Sequence, residues 1–310
     1  MVDFNQPFAE KYRPKVIKDC VLPKNIKTKF EEFVKKEYFP NLLLAGTAGT
    51  GKTTIAKCIC NELEYDYKII NASLDRGIDV LRNEIQQYVS TLSIDGSKKV
   101  IILDEADNLT HNFQSALRNF MEEFSGHCGF ILTCNYKNKI IEPLHSRCAV
   151  IDFNCDKTER KELIKDFFKR VCFILEKEGI EYDKKSVLLF ISNTFPDNRK
   201  ILNEIQAYSS TGKIDEGLLS QKTNVDIDRL VKILKDNNFK ECLKWVKENK
   251  DMDSSVIFRN MFDKMEDVVP KEAIPSLVLI LSEYQYKSSL VVDQEINLVA
   301  MMIEIMSECF

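Results

Sequence analysis

A parallel α/β sheet domain followed by two all-helical domains is the architecture that the sequence predicts, on three observations. Up to about residue 153, short apolar runs alternate with helix-length amphipathic stretches, as expected of a parallel sheet covered by helices on both faces. A glycine-rich loop, Gly46-Thr47-Ala48-Gly49-Thr50-Gly51-Lys52-Thr53, lies between the first apolar run and a helical pattern. All ten glycines fall at or before Gly217, leaving 93 residues without one. Such a break marks a change of architecture. The expected boundaries are 1–154 for the sheet domain, 155–222 for a small helical domain and 223–310 for a second one.

The strands are expected at 41–45, 68–71, 100–103, 129–133 and 149–153. From Asp156 the pattern turns helical. Leu163, Phe167, Val171 and Leu175 share one face of a long segment, followed by a helix over 186–193 and a third after Pro196. Beyond Thr223 five helices are expected. Stripes for four of them are Ile227, Leu230, Val231 and Leu234; Phe239, Cys242, Leu243 and Val246; Ile274, Leu277, Val278 and Leu281; and Ile296, Val299, Ile303 and Met306. Core packing explains such stripes, and so does contact with another subunit.

Composition excludes several classes. Gly and Pro together number 18 of 310 residues, too few for collagen-like, low-complexity or turn-dense all-β chains. No apolar run approaches the roughly 20 residues that span a bilayer, and Met1–Asn5 lacks the features of a secretory signal. The ten cysteines are scattered with no CxxC pair. They fit a reducing intracellular setting and a soluble protein, with neither a zinc site nor a disulfide framework. Residues 1–217 hold 32 basic and 32 acidic groups, and the last 93 hold 12 and 16. Without a bulk basic surface, any nucleic-acid contact has to be local or shared among several copies.

The glycine-rich loop fits G-x-x-x-x-G-K-[ST] in the strand–loop–helix context that gives this motif meaning. Its backbone N–H groups can curl around phosphate oxygens, aided by the dipole of the new helix, expected over Thr54–Leu63, whose first residue Thr54 joins the site. Lys52 would reach the β- and γ-phosphates of a bound nucleotide and Thr53 would ligate Mg2+. Val100-Ile101-Ile102-Leu103-Asp104-Glu105 is a strand ending in two carboxylates. Asp104 suits a contact to Mg2+, direct or through another ligand, and Glu105 is placed to polarise the attacking water. Together these two motifs point to hydrolysis of a nucleoside triphosphate. A later strand ends at Asn135, a neutral amide able to hold the lytic water or γ-phosphate. Arg147 follows on a loop, where a salt-bridge role is equally open.

In this order the motifs resemble those of AAA+ ATPases, and among them of sliding-clamp-loader subunits. The resemblance rests on Glu10-Lys11-Tyr12-Arg13-Pro14, the phosphate loop, Asn71-Ala72-Ser73 with Arg76-Gly77-Ile78-Asp79, and Asp104-Glu105-Ala106-Asp107. It continues through Gln114 to Glu122, Thr133–Asn135, Ser146-Arg147-Cys148 and Pro196-Asp197-Asn198-Arg199-Lys200. Some stretches are similar to the small subunits of replication factor C. The length and final third look more like the large subunit of T-even-type phage clamp loaders. Residues 61–127 lack the cysteines of the zinc module found in bacterial loaders. The Asp-Glu-Ala-Asp spelling of DEAD-box helicases would require a second RecA-like domain.

The resemblance implies an AAA+ domain, a helical lid and a C-terminal oligomerisation collar. ATP binding, with Mg2+, would assemble an open spiral that opens the clamp, and primer–template DNA would trigger hydrolysis and release. Tyr12, Arg13 and Pro14 would lie against the adenine and ribose, with Asn71 restraining Glu105 until DNA arrives. Asn135 and Arg199 would sense the phosphates, and Arg147 would act in trans on the neighbouring subunit's ATP. Arg76 and Arg82 would follow the DNA backbone; ordinary surface arginines are the alternative. The partners implied are a sliding clamp, primer–template DNA, further copies of the chain and one non-identical loader subunit. Competing readings are another AAA+ DNA machine (an initiator, helicase loader or branch-migration motor) or a non-hydrolysing scaffold subunit. The glycine-free tail argues against the first, and the presence of Lys52, Glu105 and Arg147 argues against the second.

Overall fold

The computed structural model describes residues 6–73, 78–91, 98–210, 212–215, 217–220, 227–249, 252, 254–265 and 268–310. In chain order the first elements are α1 (Phe8–Lys11), α2 (Lys24–Lys35), β1 (Leu42–Ala45), α3 (Lys52–Glu62), β2 (Asp66–Asn71), α4 (Ile78–Ser90) and β3 (Lys99–Asp104). Next come α5 (His111–Glu123), β4 (Cys128–Cys134), α6 (Glu142–His145), β5 (Ala149–Asp152), α7 (Lys157–Glu178) and β6 (Glu181–Tyr182). The series continues with α8 (Lys184–Thr194), α9 (Asn198–Ser209), β7 (Lys213–Ile214) and α10 (Gly217–Ser220). It closes with α11 (Ile227–Lys235), α12 (Phe239–Glu248), α13 (Ser254–Met265), α14 (Ile274–Ser288) and α15 (Gln294–Cys309).

Each of the five apolar runs is a strand, and they form one parallel sheet in the order β2-β3-β4-β1-β5. Period-two alternation divides the side chains between the two faces. Leu43, Ala45, Ile101, Leu103, Phe130 and Leu132 pack with Ile85 of α4 and with Phe113 and Leu117 of α5. Leu42, Leu44, Val100, Ile102 and Ile131 pack on the opposite side with Phe30 of α2 and with Ile55 and Ile59 of α3. Each such buried aliphatic side chain contributes roughly 1.5–3 kcal/mol relative to exposure, so both faces hold substantial cores. β1 pairs with β4 on one side and β5 on the other, while β3 lies between β2 and β4. Ligands bind where the carboxyl ends of parallel strands adjoin such a crevice.

The small helical layer after β5 is built on α7, α8 and α9. Asp156 and Glu159 form a reciprocal capping box at the start of α7, and Gly179, at φ 68°, ends it. Leu163, Phe167, Val171 and Leu175 are buried there. Phe8 and Tyr12 join the same cluster, although they stand at the opposite end of the sequence. A two-residue parallel pair, β6 with β7, also belongs to this layer. It is too short to produce a hydrophobic period.

The chain divides into two compact units, residues 1–221 and 222–310. The second contains α11–α15 around its own core, which includes the fully buried Trp245. One expected stripe differs. In α15, Leu298, Met301, Met302, Ile305 and Cys309 are buried, whereas Ile296 and Ile303 are 67% and 44% exposed. The helix is apolar on more than one face, so spacing alone allows either stripe, and packing on α12 and α14 selects the other. Val278 of α14 and Phe239, the first residue of α12, are exposed as well. Among the described residues no helix is long and apolar enough to cross a membrane.

Candidate nucleotide site

The loop from β1 into α3 curls because Gly49 and Gly51 adopt φ values of 76° and 93°, where an L side chain is strained. Gly49 is also closely covered: a Cβ there would fall 2.0 Å from Asp197 Oδ1. The backbone N–H of Asn198, at the start of α9, donates to Gly49 O at 3.3 Å. The helical lid therefore rests directly on the loop.

Lys52 is 7% exposed. Its Nζ donates to Gly46 O at 2.7 Å, Thr47 O at 2.8 Å and Asn135 Oδ1 at 3.0 Å. Burial lowers the pKa of its ammonium group, and the nearby charge of Arg199 acts in the same direction. These bonds satisfy all three ammonium protons. A phosphate in the loop would offer a charged acceptor in place of neutral ones.

The carboxyl ends of β3 and β4 supply the rest. Thr53 Oγ1 donates to Asp104 Oδ1 at 2.6 Å, and Thr133 Oγ1 donates to the same oxygen at 2.6 Å. Glu105 follows at φ 58° and ψ 44°. This left-handed conformation costs an ordinary residue roughly 1–2 kcal/mol. Its N–H donates to Thr133 Oγ1 at 3.0 Å, and Asn108 Nδ2 approaches its carboxylate at 3.4 Å. The buried Asp107 accepts from the backbone N–H groups of Asn135 and Tyr136 at 3.3 and 3.2 Å through Oδ2. It thereby fixes the end of β4 that carries Asn135.

These groups line one cleft of about 350 Å3, within the range of small-molecule sites, whose walls include Lys52, Thr53, Asn71, Asp104, Glu105 and Asn135. The loop residues from Ala48 to Thr54 line it too, while Gly46 and Thr47 meet Lys52 from behind. Asn71 stands opposite Asp104 in the β2–β3 register, and its Oδ1 accepts from Ser73 N and Oγ at 2.8 and 2.7 Å. Tyr12, Arg13 and Pro14 form the far wall, with Arg199 on the lid side. The Tyr12 ring meets Phe8 edge-on at 5.9 Å, its hydroxyl donates to Glu178, and burial is the largest cause of a pKa pushed up to about 12. Pro14 O accepts the Cys58 thiol of α3 at 3.3 Å.

The remaining sequence-selected residues lie elsewhere. Arg147 does not line the cleft. Its Nε donates to Glu122 Oε1 at 2.9 Å and its Nη1 to Pro143 O at 3.1 Å. The guanidinium holds the Glu122 carboxyl below its ordinary pKa. Arg82 is exposed on α4, with its guanidinium 5.8 Å from the Phe120 ring centre. Arg76 lies outside the described residues.

Sequence reading passed over Thr133 and Asp107 as individual groups. It also gave no role to the buried Gln114, whose side chain joins Leu109 O, Lys139 O and Ile141 N. The signal for Thr133 is strand register, which requires knowing that β3 and β4 are neighbours.

A parallel sheet with a phosphate-cradling loop at β1, two carboxylates at β3 and a helical lid on the loop defines a P-loop ATPase of the AAA class. Residues 42–154 match the ATPase family associated with various cellular activities, and 159–220 match the AAA+ ATPase lid domain of the sliding-clamp-loader large subunit. The chain is 34% identical to the sliding-clamp-loader large subunit of Enterobacteria phage T4, over 96% of this chain and 95% of that protein. It is 32% identical to the replication factor C small subunit of Methanothermobacter thermautotrophicus, over 93% of each. A solved structure of a Thermotoga maritima RuvB mutant shares the fold, with TM-score 0.56, 19% identity and coverage of 72% of this chain and 79% of that one. The chain belongs to the sliding-clamp-loader family of AAA ATPase subunits.

Proposed function

We propose that this chain is a DNA-stimulated, Mg2+-dependent ATPase subunit that assembles with other copies and a non-identical subunit to open a sliding clamp. Lys52 and the loop N–H groups bind the β- and γ-phosphates. Thr53 and Asp104 suit Mg2+: a hydroxyl oxygen stays available while its proton is held by the carboxylate, and Mg2+ commonly takes few protein ligands beside phosphates and water. The ion would neutralise charge developing on the phosphate oxygens. Glu105 accepts the proton of the attacking water, which Asn135 orients. Arg199 reaches the phosphates from the lid, and Tyr12, Arg13 and Pro14 line the base and ribose. Asn71, which lines the same cleft, is the switch residue for Glu105.

The observation that carries the assembly-dependent part is the position of Arg147, outside the cleft of its own chain and half-exposed. There it is available to a neighbour's ATP. Such an arginine supplied in trans makes hydrolysis depend on assembly. Arg82 on α4, together with Arg76, supplies the phosphate contacts to DNA, a few per copy, and the α11–α15 unit serves as the collar. Steady-state ATP hydrolysis tests the reading, with the full chain assayed alone and with single-stranded, duplex and primer–template DNA, then with clamp and partner subunit. The greatest stimulation is expected from primer–template DNA. Equal rates with all three DNAs in the complete assembly would refute the DNA-triggered mechanism.

A further inference from the structure

We infer that Thr133 is a positioning residue for hydrolysis, its hydroxyl setting the geometry of both carboxylates at the end of β3. This rests on the reading of Glu105 as general base. Thr133 is 1% exposed and stands one step beyond the Leu103–Leu132 pair, beside Asp104. Its Oγ1 donates to Asp104 Oδ1 at 2.6 Å and accepts from Glu105 N–H at 3.0 Å. A hydroxyl carries one proton, so these bonds have fixed and opposite directions. The carboxylate takes the proton and a lone pair takes the amide. That amide belongs to the residue at φ 58°, a conformation that persists only where its surroundings over-determine it. Asp104 retains Thr53 as a second donor, and Lys52 and Asn135 are held by other atoms. Loss of the Thr133 hydroxyl therefore affects the aim of Glu105 and leaves the phosphate grip in place.

Thr133→Val keeps the side-chain shape and deletes the hydroxyl, whereas Thr133→Ser keeps the hydroxyl and deletes a methyl group. Hydrolysis (kcat and KM) would be measured in the complete assembly with primer–template DNA, and binding of a fluorescent ATP analogue and the thermal midpoint on the full chain, with Glu105→Gln alongside. Thr133→Val is expected to lower kcat by about 10- to 100-fold, the usual effect of removing a group that orients a catalytic ligand, with ATP affinity nearly unchanged. Thr133→Ser is expected to restore most of the turnover despite a lower midpoint. A packing role alone gives the reverse order, with Val tolerated and Ser damaging, and that result overturns the inference. Should Thr133→Val not fold, Ser against Ala isolates the same hydroxyl, and equal turnover in that pair overturns it likewise. Wild-type hydrolysis by Glu105→Gln would instead remove the base assignment on which the inference stands.

Discussion

At the scale of single residues, the lysine and the carboxylates of the site are held by different partners. Lys52 makes its bonds within the loop and to Asn135, whereas the two carboxylates are organised by hydroxyls from α3 and β4. Arg147 belongs to neither set in its own chain. Arg147→Ala is expected to leave ATP binding and folding nearly intact, because its partner Glu122 is exposed and surface ion pairs contribute little to stability. Hydrolysis in the assembled complex should fall by about 1,000-fold, the scale associated with an arginine finger. A nucleotide-binding assay beside single-turnover hydrolysis checks this, and weakened binding would contradict action in trans. The lysine, threonine and carboxylates of the cleft were legible because their motifs fix residue type and spacing. Asp107 and Thr133 were not, because each acts through a neighbouring strand that chain order does not specify.

Among the secondary-structure elements, α4 shows how a surface helix is secured from beneath. Lys99 is 6% exposed on β3, and its Nζ donates to Tyr88 O at 2.8 Å, to Thr91 O and to Thr91 Oγ1 at 2.6 Å. A cation among the final carbonyls of a helix meets the negative end of its dipole. Lys68 pairs with Glu84 at 3.0 Å on the same helix. Lys99→Met keeps the apolar stem and deletes the donors. Since hydrogen bonds from charged groups contribute about 1.5–3 kcal/mol, a loss of about 2 kcal/mol is expected. Urea denaturation followed by circular dichroism measures it, and an unchanged midpoint would show that water replaces the ammonium. Strands β1, β3 and β4 were readable because burial on both faces leaves continuous apolar runs. The buried face of α15 was not, because Ile296 and Ile303 follow helical spacing as well as Leu298, Met301 and Ile305 do.

For the molecule as a whole, the division of the core matters most. Among the described residues, the cluster around Trp245 draws on residues 227–309, and the other three clusters draw on residues 8–218. Separate cores allow separate cooperative transitions. Scanning calorimetry is expected to resolve two, with ATP and Mg2+ raising only the one that contains the nucleotide cleft, since a ligand stabilises the unit that binds it. A single transition that moves with ATP would show that the units unfold together. The N-terminal segment has a consequence of another kind. Phe8 N–H donates to Gln206 Oε1 at 2.7 Å across 198 positions of sequence, and Arg170 donates to Tyr12 O at 3.1 Å. At roughly 5–20 residues per second of synthesis, about 10–40 s separate the first of these groups from the last. Tyr12, Arg13 and Pro14 leave the ribosome before the phosphate loop and gain their final support among the last of the ATPase unit. A nascent chain can thus complete its phosphate loop well before it can enclose a nucleotide.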